Sequence, residues 1–301
     1  MSSITRKLHT MLHTPRIFWK KFAASPAFRL LPDKTALKIM YKNTYGKALD
    51  LKNPKTFNEK LQWLKLNDRK DIYTIMVDKY LAKDYVAEKI GEEYIIPTLG
   101  AWDRFEDIDF DSLPEQFVLK CNHGSGDVVI CKDKQKLDLD AAKKKMTKAL
   151  RTDFYKIARE WPYKNVPRKI LAEKYMSNGD DTDIADYKFF CFGGKPHYMF
   201  VATDRSTDCR FDFFDMDFCH LDLENIHIQA DKPIARPENL ELMKSLAGKL
   251  SEGLSQARID FYEVNGKVYF GEITLFHAAG FSTFHPETWD RTFGDLIELP
   301  K

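Results

Sequence analysis

The Asn265-Gly266 pair constrains this chain more than any other feature, because it sits between two runs of β-branched and aromatic residues, 258–264 and 267–274. Such a pattern reads as a β-hairpin, since its two turn residues must take positive φ and Asn and Gly do so at least cost. Each arm carries one acid among apolar neighbours, Asp260 and Glu272. Two carboxylates close together in a partly dry site repel, so one takes up a proton unless a cation lies between them. A divalent metal is the simplest such cation, because Mg²⁺ favours one or two carboxylates together with phosphate oxygens. Register stands against this reading. An unbroken two-residue hairpin pairs Asp260 with Gly271 and sends the two acids to opposite faces. A bulge or an odd-length loop brings them together; without one, this is an edge hairpin with two solvated acids.

The 301 residues are 44% hydrophobic and 31% charged, a globular composition with enough chain for one large domain or two ordinary ones. The net charge of +2 hides a basic arm. Residues 1–35 hold Arg6, Lys7, Arg16, Lys20, Lys21, Arg29 and Lys34 against a single acid, Asp33. That arm suits peripheral contact with an anionic membrane surface, or simple solvation. No run approaches the roughly 18 apolar residues of a membrane span, and charges interrupt the N-terminus too often for a secretory signal. The five cysteines are odd in number and form no CxxC pair, which points to a reduced, cytoplasmic protein rather than a disulfide framework or zinc ribbon.

Residues 35–115 read as mainly helical. Thr56 followed by Glu59 has the form of a capping box, and a helical period running from Ile72 to Ile90 places Lys79 and Lys83 on one face. A short strand is expected over 94–99. The apolar run 117–120 ends in Lys120, enters the loop Cys121-Asn122-His123-Gly124-Ser125-Gly126 and is followed by a second strand at 128–131. A strand, glycine loop and strand let backbone N–H groups approach phosphate oxygens. Neither GxxxxGK[ST] nor GxGxxG is present, so P-loop NTPases and dinucleotide folds are not indicated. An amphipathic helix over 140–157 turns its lysines to solvent, and a strand over 170–176 leads to an acidic loop.

Residues 186–203 form a long hairpin with Lys188 embedded in its apolar first strand; the ammonium of such a lysine needs an anionic partner. Arg205 follows, a guanidinium suited to carboxylate or phosphate. The strand over 211–218 carries Asp215-x-Asp217, which has the form of a glycosyltransferase metal motif, although residues two apart on a strand also simply share its wet face. The last long helix, 237–254, precedes the hairpin.

Taken together, Val118-Leu119-Lys120-Cys121-Asn122-His123-Gly124-Ser125-Gly126, Asp186-Tyr187-Lys188-Phe189, Asp204-Arg205, Phe270-Gly271-Glu272-Ile273-Thr274 and Gly294-Asp295-Leu296-Ile297 resemble the ATP-grasp superfamily, and within it the TupA-like branch of cell-surface polysaccharide and teichuronopeptide synthesis. The resemblance implies an α+β, ATP-grasp fold in which two α+β subdomains clasp a nucleotide. It implies a basic arm (1–34), a mainly helical region (35–115), a small subdomain with the glycine loop (116–176) and a large subdomain with the metal site (177–301). Lys120, Lys188 and, less directly, Lys79 or Lys83 would then neutralise ATP phosphates, and Ser125 and Gly126 would cap them. Glu173, Lys174 and Tyr175 would form the hinge at the adenine. Asp260 and Glu272 would hold Mg²⁺, with Thr274 where many ATP-grasp enzymes have Asn.

The activity so implied is an ATP-dependent carboxylate–amine ligase working through an acyl phosphate, for instance joining an amino acid to a uronic acid in capsule or other cell-envelope polysaccharide. Its cofactors would be ATP and Mg²⁺. Its partners would be carboxylate and amine substrates, small or polysaccharide-linked, and no nucleic acid. Arg205 is the residue expected at the substrate carboxylate, and His277 either contacts substrate, moves a proton or is a satisfied structural histidine. The location implied is the cytoplasm, at the inner face of the membrane if the arm docks there. Two alternatives stand beside it: a metal-dependent glycosyltransferase using Asp215 and Asp217, and a non-catalytic nucleotide-binding relative.

Overall fold

The computed structural model describes residues 26–179 and 183–301. Most of the basic arm, residues 1–25, and loop residues 180–182 lie outside that range. Two antiparallel sheets organise the rest, giving the expected α+β class. The smaller has the order β1-β4-β2-β3, from β1 (Thr98–Trp102), β2 (Phe117–Cys121), β3 (Val128–Cys131) and β4 (Ile170–Lys174). The larger has the order β10-β9-β5-β6-β7, from β5 (Asp186–Phe192), β6 (Lys195–Thr203), β7 (Arg210–Asp215), β9 (Gln256–Val264) and β10 (Lys267–Thr274). A two-stranded pair joins β8 (Glu224–Asn225) to β11 (Phe284–His285).

Because successive strand residues face opposite ways, each sheet has two distinct faces. One face of the small sheet, with Phe117, Leu119, Cys121, Ile170 and Ala172, forms an apolar core with Ala142, Met146 and Ala149 of a helix at Leu139–Arg151. The other carries Val118, Lys120, Val128, Ile130 and Glu173. In the large sheet, Phe189, Cys191, Ile259 and Phe261 lie in one core with Met243, Leu246, Ala247 and Leu250 of a helix at Leu240–Ser251. The opposite face begins with Asp186 and Lys188 and ends in Phe190 and Phe192, so it is charged at one end and aromatic at the other.

The helical N-terminal segment closes the aromatic end. Helix α1 spans Asp33–Tyr45 and α2 spans Phe57–Asn67. The capping box at Thr56 and Glu59 is formed at the start of α2 and fixes its direction of entry. This sets the Phe57 ring edge-on to Phe190, Phe192, Phe284 and Phe293, with centroids 5.7–6.2 Å apart. Such edge-to-face contacts add to the burial itself.

Three local expectations change. The helical period over 72–90 is two helices, α3 (Ile72–Val77) and α4 (Leu81–Ile90), separated at Asp78–Tyr80. Asp78 breaks it by accepting the Tyr80 N–H (2.8 Å) and the Leu81 N–H (3.3 Å) with its carboxylate, a capping bond that competes with the continuing helix. The helix expected over 140–157 likewise divides, because the Asp153 carboxylate caps a new turn through the Lys156 N–H. The strand expected over 94–99 lies later, at Thr98–Trp102, after a short 3₁₀ turn at Glu92–Tyr94. It falls within the segment read as mainly helical, yet it pairs with β4 in the small sheet.

Candidate active site

The two acids of the hairpin face each other. From Asn265-Gly266 the ladder runs in the expected register to Phe270↔Phe261, then skips Gly271 and resumes at Glu272↔Asp260 and Thr274↔Arg258. Gly271 is the bulge. A Cβ there would lie 3.1 Å from the Asp260 carbonyl oxygen and 3.2 Å from the Tyr262 ring, so the crowded bulge favours glycine. The bulge turns Glu272 and Thr274 onto the face that carries Arg258, Asp260 and Tyr262. Strand β5 adds Asp186 opposite Tyr262 and Lys188 opposite Asp260.

In this structure the acids are compensated by side-chain cations. Arg258 donates from Nε and Nη2 to Asp260 at 2.7 and 2.6 Å and from Nη2 to Glu272 at 2.9 Å. Lys188 bridges Asp260 and Asp186, the latter at 2.6 Å. Lys79 lies 3.2 Å from Glu272, and Arg205 lies 3.1 Å from Asp186. Four cations thus surround three acids, a surplus of one positive charge (4 − 3). Burial pushes the Glu272 carboxyl up, but Lys79, Arg258 and Lys188 outweigh it and hold the group well below the usual carboxylate range. Asp260 is deeper and is pushed up by burial against the pull of Arg258 and Lys188. Sequence reasoning anticipated a cation between the acids but missed Arg258; its signal was position, two residues before Asp260 on the same strand face.

These residues fit a divalent metal completed by a phosphate. Their donors are hard oxygens from two facing carboxylates, with the Thr274 hydroxyl donating to Glu272 Oε1 at 3.3 Å. The neighbouring buried Asp186 Oδ1 has no hydrogen-bond partner. Among the described residues no group of three or more His, Cys, Asp or Glu is placed to hold a metal ion.

The small sheet faces this site with a second ionic cluster. Glu173 is buried, 2.6 Å from Lys120 on one oxygen and 2.6 Å from Lys83 on the other. Burial raises its carboxyl, and the two lysines more than reverse that. Beside Lys120 the exposed side chains of Val128 and Ile130 form an apolar flank that no motif announces. Lys174 is exposed, and its N–H is already bonded to the Pro97 carbonyl at 3.0 Å; Tyr175 lies just beyond the strand. Ser125 and Gly126 are exposed at the tip of the glycine loop, with Gly126 at φ 83°.

Lys79 ties the two sheets together. Its ammonium, besides facing Glu272, donates to the Gly124 carbonyl at 2.9 Å, and its N–H bonds Asn122 O at 3.0 Å. Its neighbour Asp78 accepts from Asn122 Nδ2 at 2.9 Å. The expectation that Lys79 and Lys83 share a helix face fails because the helix breaks between them. Lys79 goes to the large sheet's acid and Lys83 to the small sheet's.

Two further candidates have defined partners of their own. His277 is 1% exposed and stands behind the site, with Nδ1 3.0 Å from Arg258 Nη1 and Nε2 3.0 Å from Asn225 Oδ1; both ring nitrogens are engaged, which fits the structural histidine among the alternatives. Asp215 and Asp217 stand at the far edge of the large sheet, where Asp215 Oδ1 accepts the N–H groups of Asp217 and Cys219 and closes a turn. That carboxylate serves the backbone.

The family model for TupA-like ATPgrasp matches residues 59–298. No curated protein matches the chain in sequence. Among solved structures it is similar to D-alanine–D-alanine ligase from Helicobacter pylori (16% identity, 80% of this chain and 69% of that one, TM-score 0.45). It is also similar to L-amino acid ligase from Bacillus licheniformis (12%, 83% and 56%, TM-score 0.45). The ATP-complexed D-alanine–D-alanine ligase from Bacillus anthracis is a third (18%, 67% and 54%, TM-score 0.38). The chain thus spans little more than half the length of two of these three proteins.

Proposed function

This chain belongs to the TupA-like ATP-grasp family, and on that premise we propose that it is an ATP-dependent carboxylate–amine ligase. The observation that carries the reading is the bulge-enforced pairing of Asp260 with Glu272, ringed by Arg258, Lys188, Lys79 and Arg205. A surplus of positive charge around facing acids suits a polyphosphate.

In the proposed reaction a substrate carboxylate oxygen attacks the γ-phosphorus of ATP and ADP leaves. An amine then attacks the acyl carbon, phosphate departs with the bonding pair, and the amine proton passes to solvent or a nearby base. No protein nucleophile is needed. Lys120 and Lys188 neutralise phosphate oxygens, while Ser125 and Gly126 cover them from the glycine loop. Val128 and Ile130 flank the base, and the backbone at Tyr175, just beyond the paired strand, reads its edge. Arg258 is the donor placed for oxygen that gains charge during attack, and Arg205, partly exposed and braced by Asp186, takes the substrate carboxylate. Asp260 and Glu272, with Thr274 beside them, would hold Mg²⁺, which would draw charge from the phosphates when bound.

For the substrates we favour a uronic acid and an amino acid, free or polysaccharide-linked, in cell-surface polysaccharide assembly. The reaction would take place in the cytoplasm, at the membrane's inner face if residues 1–34 dock there. Among the described residues no helix is long and apolar enough to cross a membrane. The glycosyltransferase reading loses support because Asp215 is committed to a turn.

Calorimetry of ATP binding with Mg²⁺, comparing the wild type with Lys120→Ala and Glu272→Gln, tests the site. Binding lost in both variants is expected, followed by phosphate release with some pairing of uronic acid and amino acid. ATP binding without release for any acceptor would identify a non-catalytic relative. Failure to bind ATP, with a uridine sugar nucleotide bound instead, would overturn the proposal.

A further inference from the structure

We propose that Asn225 is a positioning residue that sets the proton position on His277 and thereby aims the Arg258 guanidinium at Asp260 and Glu272. The inference rests on the ligase reading only for its activity readout; the tautomer can be measured without it.

The chain of donors has one consistent direction. Asn225 Nδ2 donates to the Thr283 carbonyl at 3.0 Å, which turns Oδ1 toward His277 Nε2, also at 3.0 Å. An amide oxygen only accepts, so Nε2 carries the hydrogen. At the other side of the ring Arg258 Nη1, which only donates, lies 3.0 Å from Nδ1, so Nδ1 must present its lone pair. Both neighbours therefore impose the same neutral tautomer. Turning the Asn225 amide over would oppose two donors at His277 and two acceptors at Thr283. Asn225 and His277 are each 1% exposed, so solvent offers little relief from such a mismatch. The ring is wedged edge-on against Phe190 and Phe200, at 4.9 and 5.8 Å between centroids, and Phe200 also lies under the Arg258 guanidinium.

The anchor of this chain is strained. Asn225 pairs with Phe284, and its carbonyl accepts the His227 N–H at 2.8 Å across Ile226, whose φ is 70°. This is a γ-turn of the rare positive-φ kind, and a β-branched residue there is a genuine outlier. Ile226 gains no compensating burial, since it is 44% exposed. What holds the turn is on either side of it: Asn225 through Thr283 and His277, and His227 through its ring contact with Phe211 at 4.6 Å. Strain that survives because flanking contacts over-determine it marks a position whose exact placement is used. Here that placement delivers an amide oxygen to the ring behind Arg258.

The test is ¹⁵N NMR of the His277 ring in the full chain, assigned by His277→Gln, together with ATP-dependent phosphate release. In the wild type the Nε2–H tautomer is expected. Asn225→Leu, or Asn225→Ala where the larger side chain perturbs folding, should abolish the single tautomer. Maximal phosphate release should fall at least about tenfold, as for one lost buried hydrogen bond to a charged network, with the KM for ATP within about twofold. Ile226→Gly accepts the same φ without strain and should retain both tautomer and turnover. A protonated Nδ1 in the wild type would overturn the proposal, as would an altered tautomer with unchanged turnover, or a loss confined to KM. If the wild type releases phosphate with no acid–amine pair, the ligase reading fails and the ring spectrum alone decides this one.

Discussion

The two sheets solve opposite problems with buried charge. On the large sheet Asp186, Asp260 and Glu272 are held by cross-strand register, and Arg258, Lys188, Lys79 and Arg205 compensate them. On the small sheet a single acid, Glu173, holds two lysines, Lys83 and Lys120, beside the exposed apolar side chains of Val128 and Ile130. In each place the cations exceed the acids by one (4 − 3 and 2 − 1), so both faces invite an anion. The difference lies in what is fixed. Strand pairing fixes the acids of the large sheet, which suits ligands that demand geometry. The small sheet presents its cations on long side chains next to an exposed glycine loop, which suits charge neutralisation and cover. Removing an acid should therefore damage chemistry as well as binding on the large sheet, and affinity alone on the small one.

The largest effect is expected from Asp260→Asn. It leaves Arg258 and Lys188 short of a buried anion, a situation that costs about 3–5 kcal/mol, and ATP-dependent phosphate release should fall by about three orders of magnitude. Asp215→Asn, which touches only a turn, should leave release unchanged and cost at most about 1 kcal/mol in urea unfolding. Equal losses in both variants would show that the hairpin acids hold no special place on the large sheet.

A second, smaller effect sharpens the view that the large-sheet side is a rigid frame. Lys65 on α2 is fully buried and donates to Gln62 Oε1, the Ala158 carbonyl and the Ala279 carbonyl at 2.7–3.1 Å, so it braces the segment after Thr274. Burial pulls its ammonium down to about 8 against the attraction of Glu160, and burial pushes Glu160 up to about 7 against that of Lys65. Between the ordinary carboxyl value and pH 7 the folded chain keeps a proton on Glu160 that the unfolded chain has lost, so stability falls as pH rises. Above pH 8 the folded chain sheds the Lys65 proton that the unfolded chain keeps, so stability rises again. Urea melts should show a trough between pH 7 and 8. Lys65→Met should remove the rise above pH 8, on the order of 3 kcal/mol; persistence of that rise would assign it elsewhere.

Third, Glu173→Gln should raise the KM for ATP by about tenfold, roughly 1.4 kcal/mol, while kcat stays within about twofold. A fall in kcat comparable to that of Asp260→Asn would erase the distinction between the sheets. The smallest effect is expected at their junction. Lys79→Met breaks the link from Glu272 to Gly124, and amide exchange over 124–126 should quicken about threefold, the scale of a partly exposed ion pair. Unchanged exchange would show that the backbone bond to Asn122 O alone secures the loop.

Much of this was legible in the chain. The Asn265-Gly266 hairpin, the Thr56–Glu59 capping box, the glycine loop after Lys120 and the need of Lys188 for an anion all stand where the sequence places them. The continuous helix through Lys79 did not survive, because the Asp78 side chain prefers a cap to another helical turn and Asn122 rewards that choice from 44 residues away.

By itself the sequence determined what depends on neighbours along the chain: turns that need positive φ, caps that need a hydroxyl and a carboxylate three residues apart, and strands that alternate. Only the tertiary structure decided which charges meet. Arg258 between Asp260 and Glu272, Lys79 across to Gly124, and the Asn225–His277 pair behind Arg258 join residues from separate segments, and the bulge at Gly271 that turns the acids together shows only once both strands are paired. The physical reason is range. Backbone chemistry acts over a few residues, whereas a buried charge is settled by whatever the fold brings within about 3 Å of it.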